Sequence, residues 1–518
     1  VIGDRWLTPG QIVQGRTLGA GLSARFDAVV VGSGAGGAVV AALLAAEGKR
    51  VLVLEEGPHL RPEEIAALRP TQVMRKMWRE GGLLAALGVG KTPLMAVAVG
   101  RNVGGSSVST GGVCFRVPGD IHQRWENELK LPEFSEKSFA AAYEDVERRM
   151  QIQPIPEGLR SAATRKFVEG ASALGIDMHP LRRNTPGCEG NARCNFGCPK
   201  QAKMSVDLSY LPAALASGAT VLSDAMVKRV LIENGRAVGV EGLLLGGNPV
   251  LRSTAKVPFQ IKAPLVILAC GTLHTPLVLA ASGLRSPHLG RHITLHPSAR
   301  ISALFDEPVH GWDGALQSVY SDHFGHEGIT LVGIFTPINM VAAAFPGVGP
   351  SHRSYVRQSP HLGLFGALVH DEGGGTLRPP VLGREGLLTY EMAPRDLARL
   401  RRSMTILGEI AFAGGAREVI LPVFGAPPMR DVRQLQRFES EPLDPRRIES
   451  VSFHPLGSAR TGRDADRGVV APSGEVFGAR GLFVADGSVV PTSVGVNSQQ
   501  PIMANATRVA WGLLERRG

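Results

Sequence analysis

Residues 26–55 restrict the fold of this chain more than any other segment. Phe26-Asp27-Ala28-Val29-Val30-Val31 is a short β-branched run of the kind that forms a buried parallel strand. It enters Gly32-Ser33-Gly34-Ala35-Gly36-Gly37, and the following AVVAALLAAEGKR reads as a helix ending near Gly48. Val51-Leu52-Val53-Leu54-Glu55 is a second strand, closing on an acid. A G-x-G-x-x-G spacing alone is weak. Set between a strand and a helix, with an acid 18 residues after Gly37, it predicts a dinucleotide-binding unit. Gly32 permits the tight turn, Gly34 lets backbone amides approach a pyrophosphate, and Gly37 allows close packing of helix on strand. The helix N-terminus turns its positive dipole end to the phosphates, and Glu55 is placed to accept hydrogen bonds from an adenosine ribose. This unit does not by itself separate NAD from FAD.

The rest of the composition excludes several classes. The 518 residues allow about three to five domains, or fewer large ones. With 44% hydrophobic and 20% charged residues, the chain is neither disordered, collagen-like nor coiled coil. Five cysteines are too few for a disulfide framework. Arginine supplies 45 of the 56 positive charges behind the net +10, and no lysine follows Lys262. No basic block interleaved with aromatics occurs, so the charge reads as a solvated surface with no nucleic-acid partner. The start Val1-Ile2-Gly3-Asp4 carries no signal-peptide pattern, which leaves the compartment open, with a cytoplasmic or peripheral-membrane location favoured. The longest stretch without Asp, Glu, Lys or Arg is Gly328–His352, 25 residues broken by Pro337, Pro346 and Pro350. It is expected to form buried strands and loops, or an apolar wall facing a substrate or a membrane, and not a spanning helix. The apolar Gly81–Gly100 region is interrupted in the same way.

Three more segments extend the nucleotide pattern. Gly100-Arg101-Asn102-Val103-Gly104-Gly105-Ser106-Ser107 is a second glycine-rich loop. Pro264–Gly271 is another buried strand running into a glycine, and Leu482-Phe483-Val484-Ala485-Asp486-Gly487-Ser488 repeats the strand-then-acid order. Residues 501–517 read as a closing helix with proline at its start and arginines at its end. Pieces of one nucleotide domain at both ends of the chain imply a discontinuous domain.

Four ordered motifs resemble the glucose–methanol–choline (GMC) flavoprotein oxidoreductases over nearly the whole chain. VVVGSGAGG…VLVLEEG is similar to the family's FAD-binding start, and GRNVGGSS to its first signature, a loop lying along the flavin. Gly271-Thr272-Leu273-His274-Thr275-Pro276…Ser282-Gly283-Leu284 is similar to the second signature. His454-Pro455-Leu456-Gly457-Ser458, followed by LFVADGSVVPTSVGVNSQQPI, is similar to the C-terminal catalytic block. Ser109 and Thr110 stand where the family usually has an aliphatic residue and Asn, which puts one flavin contact in doubt. The resemblance implies an α/β fold with a discontinuous Rossmann-type FAD-binding domain (25–130, 200–300 and 451–518). It also implies a connecting segment (131–199) and a mixed α+β substrate-binding domain (301–450).

Oxidising an alcohol removes a hydroxyl proton and a carbon-bound hydride. The hydride needs a cofactor such as flavin, and the proton needs a base for which histidine is suited. The resemblance assigns His454 as that base and Asn497 as its partner. It places Gly32, Gly34, Gly37, Glu55, Gly104, Gly105, Ser106, Asp486 and Gly487 at FAD. His274 and His296 are read as structural. The middle region holds no cluster of carboxylates or arginines, and its apolar stretches favour a long-chain or sterol-like alcohol over a sugar. Cys188, Cys194 and Cys198 are spaced C-x5-C-x3-C-P. This resembles the loop that binds a three-iron iron–sulfur cluster in family dehydrogenases feeding a cytochrome. A structural loop and another metal stay open beside it. With a cluster, the alternative function is the catalytic subunit of a membrane-associated sugar or polyol dehydrogenase, passing electrons to a protein acceptor or quinone. Without one, the partner is the small-molecule alcohol alone.

Overall fold

The computed structural model describes residues 3, 6–18, 21–246, 256–334, 342, 345, 347–380 and 385–515. Six strands, β1 (Ile12–Gln14), β2 (Ala28–Val31), β3 (Val51–Leu54), β4 (Thr220–Ser223), β5 (Leu265–Leu268) and β6 (Leu482–Val484), form one sheet. Its order is β1-β4-β3-β2-β5-β6, with every pairing parallel. The strands are short and apolar on both faces because both are covered. Val30, Val53, Val221, Ile267 and Phe483 face the helices α1 (Ala35–Ala46) and α2 (Gln499–Glu515). Their neighbours Val29, Val31, Leu52, Leu54, Leu222, Val266 and Val484 face a four-stranded sheet built mainly from 225–262. The two-residue period of a strand thus separates two cores. The discontinuous α/β domain expected from the sequence is present, with β6 and α2 arriving from the far end of the chain.

A third, larger sheet has eleven strands. Its centre is Ser298–Leu304 and Leu362–Val369, paired antiparallel, with Ile329–Ile334 next to the latter. The hairpin Ala85–Gly88 and Met95–Val97 also joins it, as does Ser450–Ser452. Pro394–Ala413 and Ala162–Ala173 cover its back, where Phe167 stacks on Phe365 at 4.3 Å. Of the apolar stretch 328–352, Ile329–Ile334 is a sheet strand with Ile329 through Gly333 buried, whereas 335–341, 343–344 and 346 lie outside the described residues. Among the described residues no helix is long and apolar enough to cross a membrane.

Candidate active site

The glycine turn after β2 is shaped by the absence of side chains. Gly32 has φ +103°, and a Cβ on Gly37 would lie 1.9 Å from the Gly32 carbonyl oxygen, so α1 starts in contact with the turn. A Cβ on Gly36 would lie 1.6 Å from the Ala485 oxygen, the tightest contact of the turn. Gly34 differs: a Cβ there meets only Gly105 Cα, at 3.8 Å, because this position faces open space. Ser33, between them, donates from Oγ to Glu55 Oε2 at 2.7 Å and accepts the Gly104 N–H at 3.0 Å. One hydroxyl therefore joins both glycine loops to the acid at the end of β3. Glu55 Oε1 accepts the Gly57 N–H at 2.7 Å, and burial pushes the Glu55 carboxyl up.

These loops open on a cavity of about 1260 Å³. Small-molecule pockets usually measure about 300–1,000 Å³, so this one admits a dinucleotide with a substrate beside it. Of the residues singled out in the sequence, Gly32, Gly34, Glu55, Gly105, Ser106, Asp486, Gly487, His454 and Asn497 line it. Gly37 and Gly104 do not; they act behind the wall, Gly37 against the turn and Gly104 on Ser33. Asp486 accepts the Gly271 and Ser488 N–H groups, each at 2.8 Å, and the Thr275 and Ser488 hydroxyls. It clamps the end of β5 to the end of β6.

His454 and Asn497 meet on the wall of the same cavity. Ser450–Ser452 leads straight into His454, and the SVGVN loop before α2 brings Asn497 to it across 43 residues of sequence. Asn497 Nδ2 donates to His454 Nε2 at 3.0 Å. Burial, then the neighbouring His296 ring at 5.4 Å, push His454 down to about 3. His454 is therefore neutral at physiological pH, as a proton acceptor must be. His296 is fully buried, accepts the Val494 and Gly495 N–H groups at 3.2 Å each, and is pushed down to about 3 by burial and His370. It backs His454 and fixes the loop that carries Asn497. His454 Nδ1, Asn497 Oδ1 and Gln499 Nε2 are buried without partners among the described residues. Polar atoms orphaned on a cavity wall fit the ring system of a flavin, and the bare backbone at Gly34 and Gly105 fits a pyrophosphate. Thr110, the departure noted above, donates to Gln499 Oε1 at 3.1 Å, so the position stays polar.

Ser33, Gly36, Gln499 and His296 were not legible as site residues. Ser33 and Gly36 sit inside the glycine motif, where their type was the available signal; His296 and Gln499 gain their roles through partners remote in sequence.

The cysteine loop, read above as a candidate iron–sulfur loop, takes the following form. Cys188, Cys194 and Cys198 line one small cavity of about 10 Å³, room for about one water. All three thiols are unbridged, and among the described residues no three His, Cys, Asp or Glu side chains are grouped to hold a metal ion. The Cys194 sulfur accepts from the buried Arg183 guanidinium at 3.0 Å, and Cys188 accepts the Gly190 N–H at 3.5 Å. These residues as placed do not fit a three-iron cluster, which needs its thiolates turned to one roomy centre. The loop is fastened to the cavity wall instead. Lys203 Nζ donates to the Val108, Thr110 and Cys194 carbonyls at 2.6, 2.8 and 2.8 Å.

Bare backbone at Gly34 and Gly105 and a neutral histidine bonded to an amide line one cavity, an arrangement suited to an oxidoreductase that works on a bound dinucleotide. Family models for GMC oxidoreductases match residues 26–298 and 387–506. An uncharacterized GMC-type oxidoreductase of Mycobacterium tuberculosis is 38% identical over 94% of this chain and 75% of its own length. Another from Sinorhizobium fredii is 34% identical over 96% of both. A long-chain-alcohol oxidase of Arabidopsis thaliana is 29% identical over 93% of this chain and 66% of its own. The crystal structure of a pyridoxine 4-oxidase superposes with a TM-score of 0.72 at 19% identity, covering 95% of this chain and all of that one. The chain belongs to the GMC oxidoreductase family and is an FAD-dependent oxidoreductase.

Proposed function

We propose that the enzyme oxidises a long-chain or similarly apolar alcohol to its carbonyl, with His454 as base. The observation that carries this reading is the neutral His454 bonded to Asn497 on the cavity wall. A substrate hydroxyl entering between them would replace that bond: Asn497 Nδ2 donates to the hydroxyl oxygen while its O–H donates to His454 Nε2. Held so, the carbinol carbon is oriented as the proton leaves to Nε2. Bound in the cavity, FAD supplies the hydride acceptor. Gly32, Gly34, Gly105, Ser106, Glu55, Asp486 and Gly487 would hold it, with Gly37 and Gly104 shaping the loops. In this reading 25–130, 200–300 and 451–518 serve FAD, and 301–450 supplies most of the substrate wall. That wall, with Leu316, Val332, Ile334 and Leu368, is apolar, and relatives named as long-chain-alcohol oxidases agree with it.

Heat-released supernatant should contain FAD; bound NAD without flavin overturns the reading. Efficiency should rise with chain length, by up to about 0.8 kcal/mol per buried methylene. His454→Ala should keep FAD and lose flavin reduction by about 10²–10⁴-fold, and a rate within a few-fold of wild type removes His454 as base. The cysteine loop as placed lends no support to the cytochrome-linked alternative.

A further inference from the structure

The cavity wall includes a cation, Arg300, that the alcohol reaction does not use. Along Ser298–Leu304, Ala299, Ile301 and Ala303 are buried in the core behind the sheet, and Ser298 and Arg300 share the opposite face, on the cavity. Arg300 stands in a wall that also carries the apolar side chains of Leu316, Val332 and Ile334. Its Nε is shielded from solvent and has no hydrogen-bond partner among the described residues. No ion pair among them includes it; Glu449, exposed at the same wall, acts on it from a distance.

A guanidinium so placed is costly to surround with hydrocarbon, because an alkyl chain removes its remaining water and offers nothing in return. Burial already holds Arg300 below the usual arginine range. A plain alkanol would leave this group unsatisfied. A carboxylate would meet it, since the planar fork donates parallel bonds to both of its oxygens. Glu449 nearby makes a monoanion preferable to a dianion such as a phosphate ester.

The spacing supports a single substrate that reaches both groups. The His296 ring lies 5.4 Å from that of His454, and Arg300 is four residues further along the chain. The His296 and Arg300 backbones are therefore at most about 14 Å apart, which puts Arg300 on the stretch of wall that runs on from the His454 pair.

Resting on the alcohol-oxidising reading of the site, we propose that Arg300 is a specificity-determining residue binding the carboxylate of a long-chain hydroxy fatty acid, whose hydroxyl lies at His454. The reaction is unchanged: the O–H proton goes to His454, the hydride to the cofactor, and the carboxylate is a spectator.

The test compares 12-hydroxydodecanoate with 1-dodecanol as reductants of the holoenzyme, in wild type, Arg300→Gln and Arg300→Lys. Wild type should prefer the hydroxy acid by at least about tenfold in kcat/KM. Arg300→Gln should collapse that ratio, mainly through the hydroxy acid's KM, and Arg300→Lys should keep part of it. Dodecanoate, which carries no hydroxyl, should perturb the flavin spectrum of wild type and bind at least about tenfold more weakly to Arg300→Gln. The same substrate ratio and the same dodecanoate affinity in wild type and Arg300→Gln overturn the proposal. Dodecanoate binding that depends on Arg300, without flavin reduction by either alcohol, upholds the anion site and refutes the alcohol reading instead.

Discussion

His454 shows how a residue's surroundings set its chemistry. An exposed histidine would be half protonated near its ordinary value of 6.5 and lose base function below it; this one is held down to about 3. Flavin reduction by alcohol should therefore show no acidic limb between pH 5 and 7, and a limb near 6.5 in stopped-flow profiles would contradict the burial argument. The same shift has a stability consequence of fixed sign. His296 and His454 at about 3 and His292 at about 4 bind protons when unfolded, near 6.5, but not when folded. The unfolded state binds more protons between these limits, so stability rises with pH through that window. Acidifying from pH 7 to 5 should lower the melting temperature; an unchanged or higher value would contradict it. His454 and Asn497 were legible because their surrounding motifs carry the family resemblance. The depressed titration of His454 was not, because burial and the ring of His296 are products of tertiary packing.

At the scale of elements, β2, α1 and β3 were readable because strand, turn and helix signals all lie within thirty residues. The large sheet was not. Its hairpin Ala85–Gly88 and Met95–Val97 lies in a segment that read as interrupted and apolar, and its partners Leu387–Tyr390 and Ser450–Ser452 are about 300 residues or more away. Local pattern cannot report such pairing. Two alanine substitutions in the flanking helices separate close approach from propensity. Gly36→Ala puts a methyl 1.6 Å from the Ala485 oxygen and should give protein with little or no FAD. Gly512→Ala, in α2 with no atom within 4 Å of the new Cβ, should keep FAD and gain up to about 1 kcal/mol. FAD content near wild type in Gly36→Ala would refute the packing account. Between elements, buried Arg79 donates to Glu56 at 2.7 Å and Glu385 at 3.0 Å, and His274 lies 3.0 Å from the other Glu385 oxygen. Burial pushes both carboxyls up, but Arg79 at Glu56, and the His274 hydrogen bond followed by Arg79 at Glu385, outweigh it and hold each at about 2. Arg79→Met should cost about 1–3 kcal/mol, because the half-buried Glu56 and Glu385 lose their shared guanidinium while Glu56 keeps Arg101 and Glu385 keeps His274, and adding Glu385→Gln should recover part of it. Thermal melts that show no loss for Arg79→Met would reduce the network to surface pairs.

At the scale of the molecule, the cavity lies where the parallel sheet and the large sheet meet, and the cysteine loop braces its wall. Three cysteines within eleven residues could be seen in sequence, but whether they converge on a metal depends on how the chain turns between them. In the fold, Cys194 is engaged by Arg183, whose guanidinium also donates to the Gly111 and Gln317 carbonyls. Lys203, pushed down to about 8 by burial, ties the same loop to Val108 and Thr110 beside the cavity. Replacing thiols and replacing the brace should then have opposite outcomes. Cys188→Ser and Cys198→Ser should retain FAD and flavin reduction within a few-fold, because neither thiol bridges or holds a metal in this arrangement. Lys203→Met leaves three buried carbonyls without their shared donor, at about 1–3 kcal/mol for each unsatisfied group. It should lower both melting temperature and FAD retention, because Thr110 and the loop along the cavity lose their anchor. Anaerobically purified protein should carry flavin absorption alone, with iron and acid-labile sulfide each below about 0.3 equivalents. Stoichiometric iron and sulfide, lost together in Cys188→Ser, would mean that the three thiolates turn to a common centre and that this loop is a redox relay.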